Sequence, residues 1–390
     1  MISLETQFAN LRLRNPVVVA SAPPTETSDN IARCADAGAA AVVTKTLASF
    51  DPTAFPLGAR RAYVDRNGMW ALSTFRRETL TTAEGARLIE NAVRRVDIPI
   101  IASVGALTMA PGDWLSSCRA AQDAGASMIQ LDLFYSPHPR SSPENVRLLL
   151  ELIADLSSEI TIPLAPKLNI ELPAHYIAEV LDGAAVAGVF AIDSLRTPVP
   201  LDPRRGGHPL TRYAPNAGET SLFGSWQKPV TLQYVRIMAE QSRLDVCAGG
   251  GLMNGYDAAE AILLGASSVQ VATAVIRHGF SRISKMLDQL TEFMTNNGYG
   301  TVAAVRGAAL ASFAAEERAI QFVDTKAAVD PSLCTMCGIC TTLVFCPDIN
   351  VLDGRIDISD HCDGCGLCVA VCPTRPRALR FVEVDRPELG

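Results

Sequence analysis

The sequence predicts an α/β fold: a (β/α)8 TIM barrel followed by a small cysteine-rich domain. Eight short, nearly continuous apolar runs precede the cysteine-rich segment, as expected of strands buried on both faces. Amphipathic segments separate these runs, and eight of the eleven cysteines lie near the C-terminal end of the sequence. We therefore expect a barrel over residues 1–298, a helical linker over 299–329 and a second domain over 330–390.

The eight predicted strands are rich in β-branched residues. They cover residues 15–22, 40–46, 98–105, 127–134, 162–168, 187–193, 244–250 and 267–273. The amphipathic segments cover residues 29–38, 81–95, 111–124, 143–157, 172–181, 229–241, 254–264 and 280–297. Eight strand–helix units favour a closed barrel over the alternative, a doubly wound open sheet.

Polar residues end several of these strands. They are Ser21 after the first strand, Lys45 and Thr46 at the second, Asp132 at the fourth, Lys167 at the fifth, and Asp193 with Ser194 at the sixth. Barrel active sites form at this face, so we expect these side chains to share one pocket. Because lysine is rarely buried without a partner, a bound anion or an electron-rich ring is expected beside them.

The last two strands carry a candidate phosphate site. Three glycines, Gly249 to Gly251, precede a helix that starts near Asn254, and Ala272 and Thr273 close the eighth strand. Loops after strands seven and eight of barrels commonly bind phosphate through backbone N–H groups. Taken alone, the glycines could equally make a tight turn. No G-x-G-x-x-G follows the first strand, so no separate nicotinamide-binding domain is predicted.

Two long insertions interrupt the pattern. Residues 47–80 carry Ser73 and Trp70, and residues 195–228 carry Gly224 and Trp226. Long irregular loops at the catalytic face are usually functional.

The cysteines form two motifs, each followed by proline. Cys334, Cys337, Cys340 and Cys346 read C-x2-C-x2-C-x5-C-P, and Cys362, Cys365, Cys368 and Cys372 read C-x2-C-x2-C-x3-C-P. The second spacing wraps a [4Fe–4S] cluster in bacterial ferredoxins, where the fourth ligand serves the other cluster. We therefore expect Cys372 to join the first three cysteines and Cys346 to join Cys362, Cys365 and Cys368. Zinc sites or disulfides fit this spacing less well.

Such a bacterial-ferredoxin-like 2[4Fe-4S] α+β domain carries electrons. With it, the two lysines and the glycine loop favour a phosphate-bearing flavin in the barrel. The net charge of −7 argues against nucleic acid as a partner. No apolar run reaches the roughly 18 residues of a membrane span, and no signal peptide is evident. Clustered cysteines fit metal ligation in a reducing compartment, so a cytoplasmic location is expected.

The chain resembles the flavin barrel and C-terminal ferredoxin-like domain of dihydropyrimidine dehydrogenases, within the dihydroorotate dehydrogenase superfamily. The matching segments are NPVVVASAPPT, VVTKT, IPLAPKL, CAGGGL and VQVATAV, followed by the two cysteine motifs. This resemblance covers essentially the whole chain and implies an FMN cofactor in the barrel mouth. The residues that it places against FMN are Ser21, Lys45, Thr46, Lys167, Gly224, Gly250, Gly251, Ala272 and Thr273. It also implies that Lys167 lies near the N1–C2=O edge and stabilises negative charge on the reduced ring.

The sequence departs from this family at the catalytic acid. Family members read asparagine-leucine-serine-cysteine-proline-histidine after the fourth strand, and the cysteine is the acid. Residues 132–138 here read DLFYSPH. Alignment on the Pro-His pair makes Ser136 the acid, whereas counting from the strand makes it Tyr135. Ser136 is the first choice, and His138 is expected beside it.

Asparagines that hold the pyrimidine in the family are also replaced. Asp132 and Asp193 stand at two of these positions and Ser73 at a third, with Ser194 beside the substrate. An amide side chain donates and accepts hydrogen bonds, whereas a carboxylate only accepts them and carries charge. The expected substrate is therefore an unsaturated compound with amine or amidine groups, and neither uracil nor orotate.

The predicted function is an FMN- and iron–sulfur-dependent oxidoreductase that acts on a C–C bond of a small heterocyclic substrate. Two alternatives are a true dihydropyrimidine dehydrogenase subunit that reduces uracil or thymine, and an electron-relay subunit with a degenerate site. The expected electron partner is a separate NAD(P)H-oxidising flavoprotein subunit or a ferredoxin, and analogy with related enzymes suggests a homodimer.

Overall fold

The computed structural model describes residues 2–49, 61–64, 70–73, 79–134, 136, 143–186, 188–198, 201–209, 219–311 and 325–384. Over 61–64, 70–73, 209 and 219–220 it describes the backbone alone. The chain divides into two compact units, residues 1–314 and residues 315–390. None of the helices in the described ranges is long and apolar enough to cross a membrane.

Eight parallel strands close into a barrel in the first unit. They are β1 (Val17–Val19), β2 (Ala41–Val43), β3 (Ile100–Gly105), β4 (Met128–Asp132), β5 (Leu164–Leu168), β6 (Gly188–Ala191), β7 (Asp245–Gly249) and β8 (Ser268–Val271). Each strand pairs with the next in the chain, and β8 pairs with β1. The (β/α)8 prediction is confirmed, and the doubly wound alternative is wrong because this sheet has no open edge between its first and last strands.

Within the described ranges, helices surround the barrel: eight lie where the amphipathic segments predicted them, and two short ones, over residues 273–278 and 302–305, lie outside those segments. They are α1 (Ser28–Asp36), α2 (Thr82–Val93), α3 (Pro111–Asp123), α4 (Pro143–Glu159), α5 (Ala174–Asp182), α6 (Lys228–Gln241), α7 (Gly255–Leu263), α8 (Thr273–His278), α9 (Ser281–Asn296) and α10 (Val302–Val305). Their apolar faces pack against the outward-facing strand residues in one continuous core. Burial of this stripe, more than helix propensity, stabilises such helices.

The barrel interior is apolar at its amino end and polar towards its carboxyl end. A hairpin of two short strands, Thr6–Phe8 and Leu11–Leu13, closes the amino end. The Phe8 ring packs edge-to-face on Phe190 with ring centroids 4.9 Å apart. Inward-facing residues further along the strands, such as Ser103, Gln130 and Gln270, are polar and buried. Polar groups therefore collect at the face where barrel enzymes place their chemistry.

The two insertions predicted as irregular loops form a sheet together. Its antiparallel order is Leu195–Pro198, Glu219–Phe223, Trp70–Ser73 and Arg61–Val64. Strands from the two insertions pair directly, with Leu222 opposite Ala71. The prediction of irregular structure is wrong for these segments, because strands pair within each insertion and the two insertions also pair with each other.

Over residues 325–384, the second unit contains two antiparallel strand pairs and two short helices. Its elements are β9 (Thr325–Val329), α11 (Ile339–Thr342), β10 (Ile349–Leu352), β11 (Arg355–Ile358), α12 (Leu367–Val371) and β12 (Leu379–Glu383). Strand β9 pairs with β12, and β10 pairs with β11. Residues 325–329, predicted as the end of a helical linker, instead form a strand of this unit. The rest of the predicted domain division stays a proposal.

Candidate active site and cluster domain

A cavity of ≈350 Å³ lies at the carboxyl ends of the barrel strands. The predicted cofactor residues in its wall are Ser21, Lys45, Thr46, Lys167, Gly250, Gly251, Ala272 and Thr273. The predicted substrate residues Asp132, Asp193 and Ser194 also line it. Gly224 is not among the lining residues, and of Ser73 the structure describes only the backbone. Strand ends that are far apart in sequence thus contribute to one cavity.

The glycine loop presents bare backbone to this cavity. Gly250 and Gly251 adopt φ angles of 104° and 81°, a region that residues with a Cβ atom rarely occupy. A Cβ atom on Gly251 would lie 2.3 Å from the backbone nitrogen of Lys228 at the start of α6. The Thr231 hydroxyl donates to the carbonyl oxygens of Gly249 at 3.0 Å and Gly250 at 2.8 Å. Helix α6 therefore holds the loop in place by contacts that only glycine permits.

Lys167 and Asp193 form an ion pair in the cavity wall. The distance from Lys167 Nζ to Asp193 Oδ1 is 3.0 Å, and the two side chains are 9% and 15% exposed. Ser194 donates to the same oxygen from its backbone nitrogen at 2.6 Å and from its hydroxyl at 3.3 Å. The expectation that a bound anion or ring is the partner of this lysine needs correction, because the protein itself supplies one.

The charge state of Lys167 follows from these neighbours. Burial lowers the pKa of Lys167, but the carboxylates of Asp193 and Asp132 raise it, and the net pKa lies above its usual value. Asp132 is the direct neighbour of Lys167 across the β4–β5 pairing. The lysine therefore stays an ammonium ion at neutral pH.

Asp132 lies in a small network of hydroxyl groups. Its Oδ2 accepts hydrogen bonds from Thr46 at 2.9 Å and Ser103 at 3.4 Å, and its Oδ1 accepts one from the backbone nitrogen of Phe134 at 3.2 Å. Burial raises the pKa of Asp132, Lys167 lowers it, and Asp193 raises it further, so that the net pKa is above the usual range. Two carboxyl groups with different partners thus share one cavity.

Several lining residues were not predicted from the sequence. Gln227 donates to the backbone oxygen of Asp193 at 2.5 Å and is 1% exposed. The buried Oε1 of Gln270 lacks a hydrogen-bond partner within the described part of the chain. Both residues line the cavity. The sequence could have predicted Gln270. Side chains alternate between the two faces of a strand, and Gln270 lies two residues before the predicted cofactor residue Ala272, so both face the barrel interior.

Arg196 contacts the loop that carries the candidate acid. Its guanidinium lies 4.8 Å from the centroid of the Phe134 ring and donates to the backbone oxygen of Ser136 at 3.4 Å. Ser136 is buried, and its hydroxyl donates to the carbonyl oxygen of Ala106 at 3.1 Å. Phe134 lines the cavity, whereas Ser136 is not among the lining residues. Tyr135 and His138 lie outside the described residues, so the choice of acid stays a prediction.

In the second unit, cysteines of both motifs surround a common space. Cys334, Cys337, Cys340 and Cys372 line one cavity, together with Gly338 and Thr374. Among described residues, no three Cys, His, Asp or Glu side chains converge closely enough for a single metal ion. A [4Fe–4S] cluster fills a space between its cysteine ligands, so thiols arranged around a cavity suit it. A zinc ion instead needs its four ligands at bonding distance from a single point.

The remaining cysteines pack in the same small core. Cys362 and Cys368 are buried, and Cys346 is partly buried against them. Burial raises the pKa of Cys368, as do the neighbouring Cys362 and Cys365. In Cys372, burial raises the pKa, but hydrogen bonds from Thr374 and from nearby backbone outweigh it and lower the pKa to about 7. A thiol that ionises this easily is a ready metal ligand.

Two family models match the chain. The model described as dihydroorotate dehydrogenase matches residues 91–294, just over half of the chain. The chain belongs to the dihydroorotate dehydrogenase family. A second model, described as a 4Fe-4S dicluster domain, matches residues 326–374. The boundaries of both matches fall within the two structural units.

Curated relatives carry related names. The chain is 26% identical to dihydroorotate dehydrogenase B (NAD(+)), catalytic subunit, of Thermoplasma acidophilum over 80% of this chain and 100% of that protein. It is 26% identical to chloroplastic dihydropyrimidine dehydrogenase (NADP(+)) of Arabidopsis thaliana over 80% of this chain and 78% of that protein. It is 24% identical to NAD-dependent dihydropyrimidine dehydrogenase subunit PreA of Escherichia coli over 86% and 84% of the two chains.

These matches establish the cofactors. The family domain binds FMN, and the dicluster domain binds two [4Fe–4S] clusters, as predicted. The residues present fit FMN: the cavity has the volume of a small-molecule site, its glycine loop offers bare backbone, and Gln270 Oε1 is a buried acceptor awaiting a donor. The predicted activity class, an FMN- and iron–sulfur-dependent oxidoreductase acting on CH–CH groups, is also confirmed.

Proposed function

We propose that the barrel acts on a C–C double bond of a small ring that carries amine or amidine groups, and that Asp193 recognises those groups. The support is the unequal use of the two carboxylate oxygens. Asp193 Oδ1 forms the ion pair with Lys167 and accepts two hydrogen bonds from Ser194. Its Oδ2 receives none from the described residues, although the residue lines the cavity. An oxygen that only accepts favours a ligand that donates.

Asp132 differs from Asp193 in this respect. Both of its oxygens already accept hydrogen bonds from the protein. Asp132 therefore contributes a negative charge when ionised, or a proton when neutral. Neither of its oxygens is left without a hydrogen bond for a substrate to replace. The open oxygen of Asp193 can only accept hydrogen bonds, as can the carboxylate of orotate, so the two cannot pair and orotate is disfavoured.

When bound in this cavity, FMN would supply hydride transfer with a substrate carbon and one-electron exchange with the clusters. The chain must then supply a proton at the neighbouring carbon. Ser136 or Tyr135 is proposed for this task, on the loop that Arg196 holds through Phe134 and the Ser136 carbonyl. A positioned hydroxyl that moves a proton in the transition state typically accelerates such a step by about 10²–10⁴-fold.

Electrons are proposed to enter or leave through the clusters by way of a separate protein. The sequence lacks a dinucleotide-binding fingerprint after its first strand, and the curated relatives from Thermoplasma and Escherichia coli are named as subunits of NAD-dependent enzymes. An NAD(P)H-oxidising flavoprotein subunit or a ferredoxin fits this role. A homodimer and a cytoplasmic location, where a reducing environment keeps cysteine thiols available to ligate clusters, complete the proposal.

A reoxidation assay tests the substrate assignment. The protein is purified anaerobically, reduced with dithionite and mixed with cytosine, isocytosine, uracil, thymine or orotate while flavin absorbance is followed. We expect the two amine-bearing rings to reoxidise the flavin faster, and Asp193→Asn to shift the preference towards uracil. Asp155→Asn, an exposed carboxylate on α4, is the matched control and should change nothing.

Three other outcomes overturn the proposal. Equal or faster reoxidation by uracil or thymine identifies a pyrimidine dehydrogenase, as the names of two relatives suggest. Rapid turnover of orotate identifies a dihydroorotate dehydrogenase. Electron exchange by the clusters without reoxidation by any ring supports the relay subunit, against which the intact cavity with Lys45, Lys167 and the glycine loop argues.

A further inference from the structure

We propose that Asp193 lowers the reduction potential of the FMN in the barrel by neutralising Lys167. The inference needs FMN in the cavity but does not depend on which substrate the enzyme uses. A fixed cation beside a ring that gains electrons stabilises the reduced form and raises its potential. Lys167 lines the cavity as such a cation. Its effect on the ring depends on whether its charge is free or already paired.

The geometry shows that the charge is paired. Lys167 Nζ and Asp193 Oδ1 lie 3.0 Å apart, and both side chains are largely shielded from water. At this separation and degree of burial, water screens the attraction only partly. To groups in the cavity, the pair therefore acts as a dipole, whose field falls off with distance faster than that of a single charge.

The carboxylate is also held in place. The Asp193 backbone nitrogen donates to Leu168 at 2.8 Å, and its backbone oxygen accepts from Gln227 at 2.5 Å. Ser194 fixes the same carboxylate oxygen that contacts the lysine. Asp193 thus has contacts on its backbone and side chain that prevent it from turning away when FMN occupies the cavity.

Asp132 provides an internal comparison. It lies beside Lys167 in the strand register and also favours the charged lysine, but its hydrogen bonds go to Thr46, Ser103 and Phe134. Removing its charge should therefore change the field around Lys167 less than removing the charge of Asp193. The contrast separates a specific ion pair from a general effect of negative charge in the cavity.

A lower potential has a chemical consequence. The reduced flavin becomes a stronger hydride donor. The equilibrium of the hydride-transfer step between flavin and substrate therefore shifts from oxidation of a saturated C–C bond towards reduction of a double bond. Asp193 thereby favours the ene-reductase direction, with electrons drawn from the clusters.

Anaerobic spectroelectrochemistry of the holoenzyme tests the proposal, with EPR used to separate the clusters from the flavin. Asp193→Asn should raise the equilibrium constant for flavin reduction at least about tenfold, which is about +30 mV for a two-electron couple. Asp132→Asn should raise it less. Asp193→Ser is measured in parallel, so that the test does not depend on one variant retaining FMN.

A double-mutant cycle with Lys167→Met identifies the pair as the cause. In the parent protein, Lys167→Met leaves the largely buried Asp193 carboxylate without its cation, so we expect it to take up a proton and the potential to fall only slightly. In the Asp193→Asn background no such compensation exists, and the potential should fall much more. An unchanged or lower potential in both Asp193 variants overturns the proposal. Equal effects of Lys167→Met in the two backgrounds overturn it as well, because the two charges would then act independently. Neither result requires turnover, so a failed substrate assignment leaves this test intact.

Discussion

The hydroxyl of Thr46 donates a 2.9 Å hydrogen bond to Asp132 Oδ2, which joins the end of the second barrel strand to the end of the fourth. Both residues are at least 96% buried. The bond satisfies one carboxylate oxygen without supplying a full positive charge. Asp132 therefore keeps a raised pKa, chiefly because burial disfavours its ionised form.

Replacement of this buried acid should remove one source of pH-dependent stability. When the folded pKa of a carboxyl is raised, the native state holds a proton that the unfolded chain has already lost, so stability falls as pH rises. In Asp132→Asn this loss is absent. We expect the stability of the variant relative to the parent to increase above about pH 4, with a limiting slope of about 1.4 kcal/mol per pH unit, and to level off beyond the folded pKa.

Anaerobic thermal unfolding of the barrel unit over a pH series measures this difference. Asp155→Asn, with its exposed carboxyl, should show a constant difference from the parent. A difference between Asp132→Asn and the parent that is independent of pH would show that Asp132 titrates normally.

Gly251→Ala should weaken FMN binding. The new Cβ atom would lie 2.3 Å from the Lys228 nitrogen at a φ of 81°, so the loop must move away from α6. We expect at least a tenfold weaker FMN affinity, about 1.4 kcal/mol or more, measured by flavin content after purification and by titration of the flavin-free protein.

The matched control for this change is Gly298→Ala. Gly298 has a similar φ of 73°, but no heavy atom lies within 4 Å of its added Cβ. Gly298→Ala should lower the free energy of unfolding by about 1–2 kcal/mol, because alanine disfavours the left-handed backbone conformation, and it should leave FMN binding unchanged. Normal FMN affinity in Gly251→Ala would mean that the loop does not hold the cofactor.

The barrel could be predicted because its signal is local and repeated. Each buried strand reads as an apolar run, and Lys167 and Asp193 were both assigned to strand ends. Their ion pair could not be predicted, since the strand pattern gives the face of a residue but not the direction in which a long side chain extends. The same limit hid the contact between Arg196 and Phe134.

Two errors come from pairing between distant segments. Residues 325–329 read TKAAV, and alanine and lysine favour a helix, yet pairing with β12 makes this segment a strand. Likewise, Leu222 pairs with Ala71 across the two insertions, a contact that no local pattern reveals. Tertiary pairing overrides propensity where the local signal is weak.

Removal of the last cysteine of the second motif should disrupt the cluster of the first motif. Cys372 lines one cavity with Cys334, Cys337 and Cys340. We expect Cys372→Ser to lower the iron content from about eight to about four atoms per chain, measured by iron analysis and by the loss of magnetic coupling in EPR spectra.

Double variants test which cluster is lost. Combining Cys372→Ser with Cys340→Ser should remove no further iron, because both residues would serve the same cluster. Combining it with Cys368→Ser should remove the second cluster as well. The reverse pattern would show that each motif binds its own cluster.

Variants of Ser136 and Tyr135 can identify the residue that donates the proton to the substrate carbon. Ser136 lies in the loop beside the cavity, with its hydroxyl bonded to Ala106 and its carbonyl held by Arg196. If Ser136 moves the proton, Ser136→Ala should slow flavin reoxidation by substrate about 10²–10⁴-fold while Tyr135→Phe has a small effect. Stopped-flow reoxidation measures this step, and Ser158→Ala on the exposed face of α4 is the control. Reduction of the flavin through the clusters should stay unchanged in every variant, since it requires no proton at a substrate carbon. A large loss in Tyr135→Phe alone would assign the acid to Tyr135, and normal rates in both single variants and in their combination would exclude a hydroxyl of this loop as the donor.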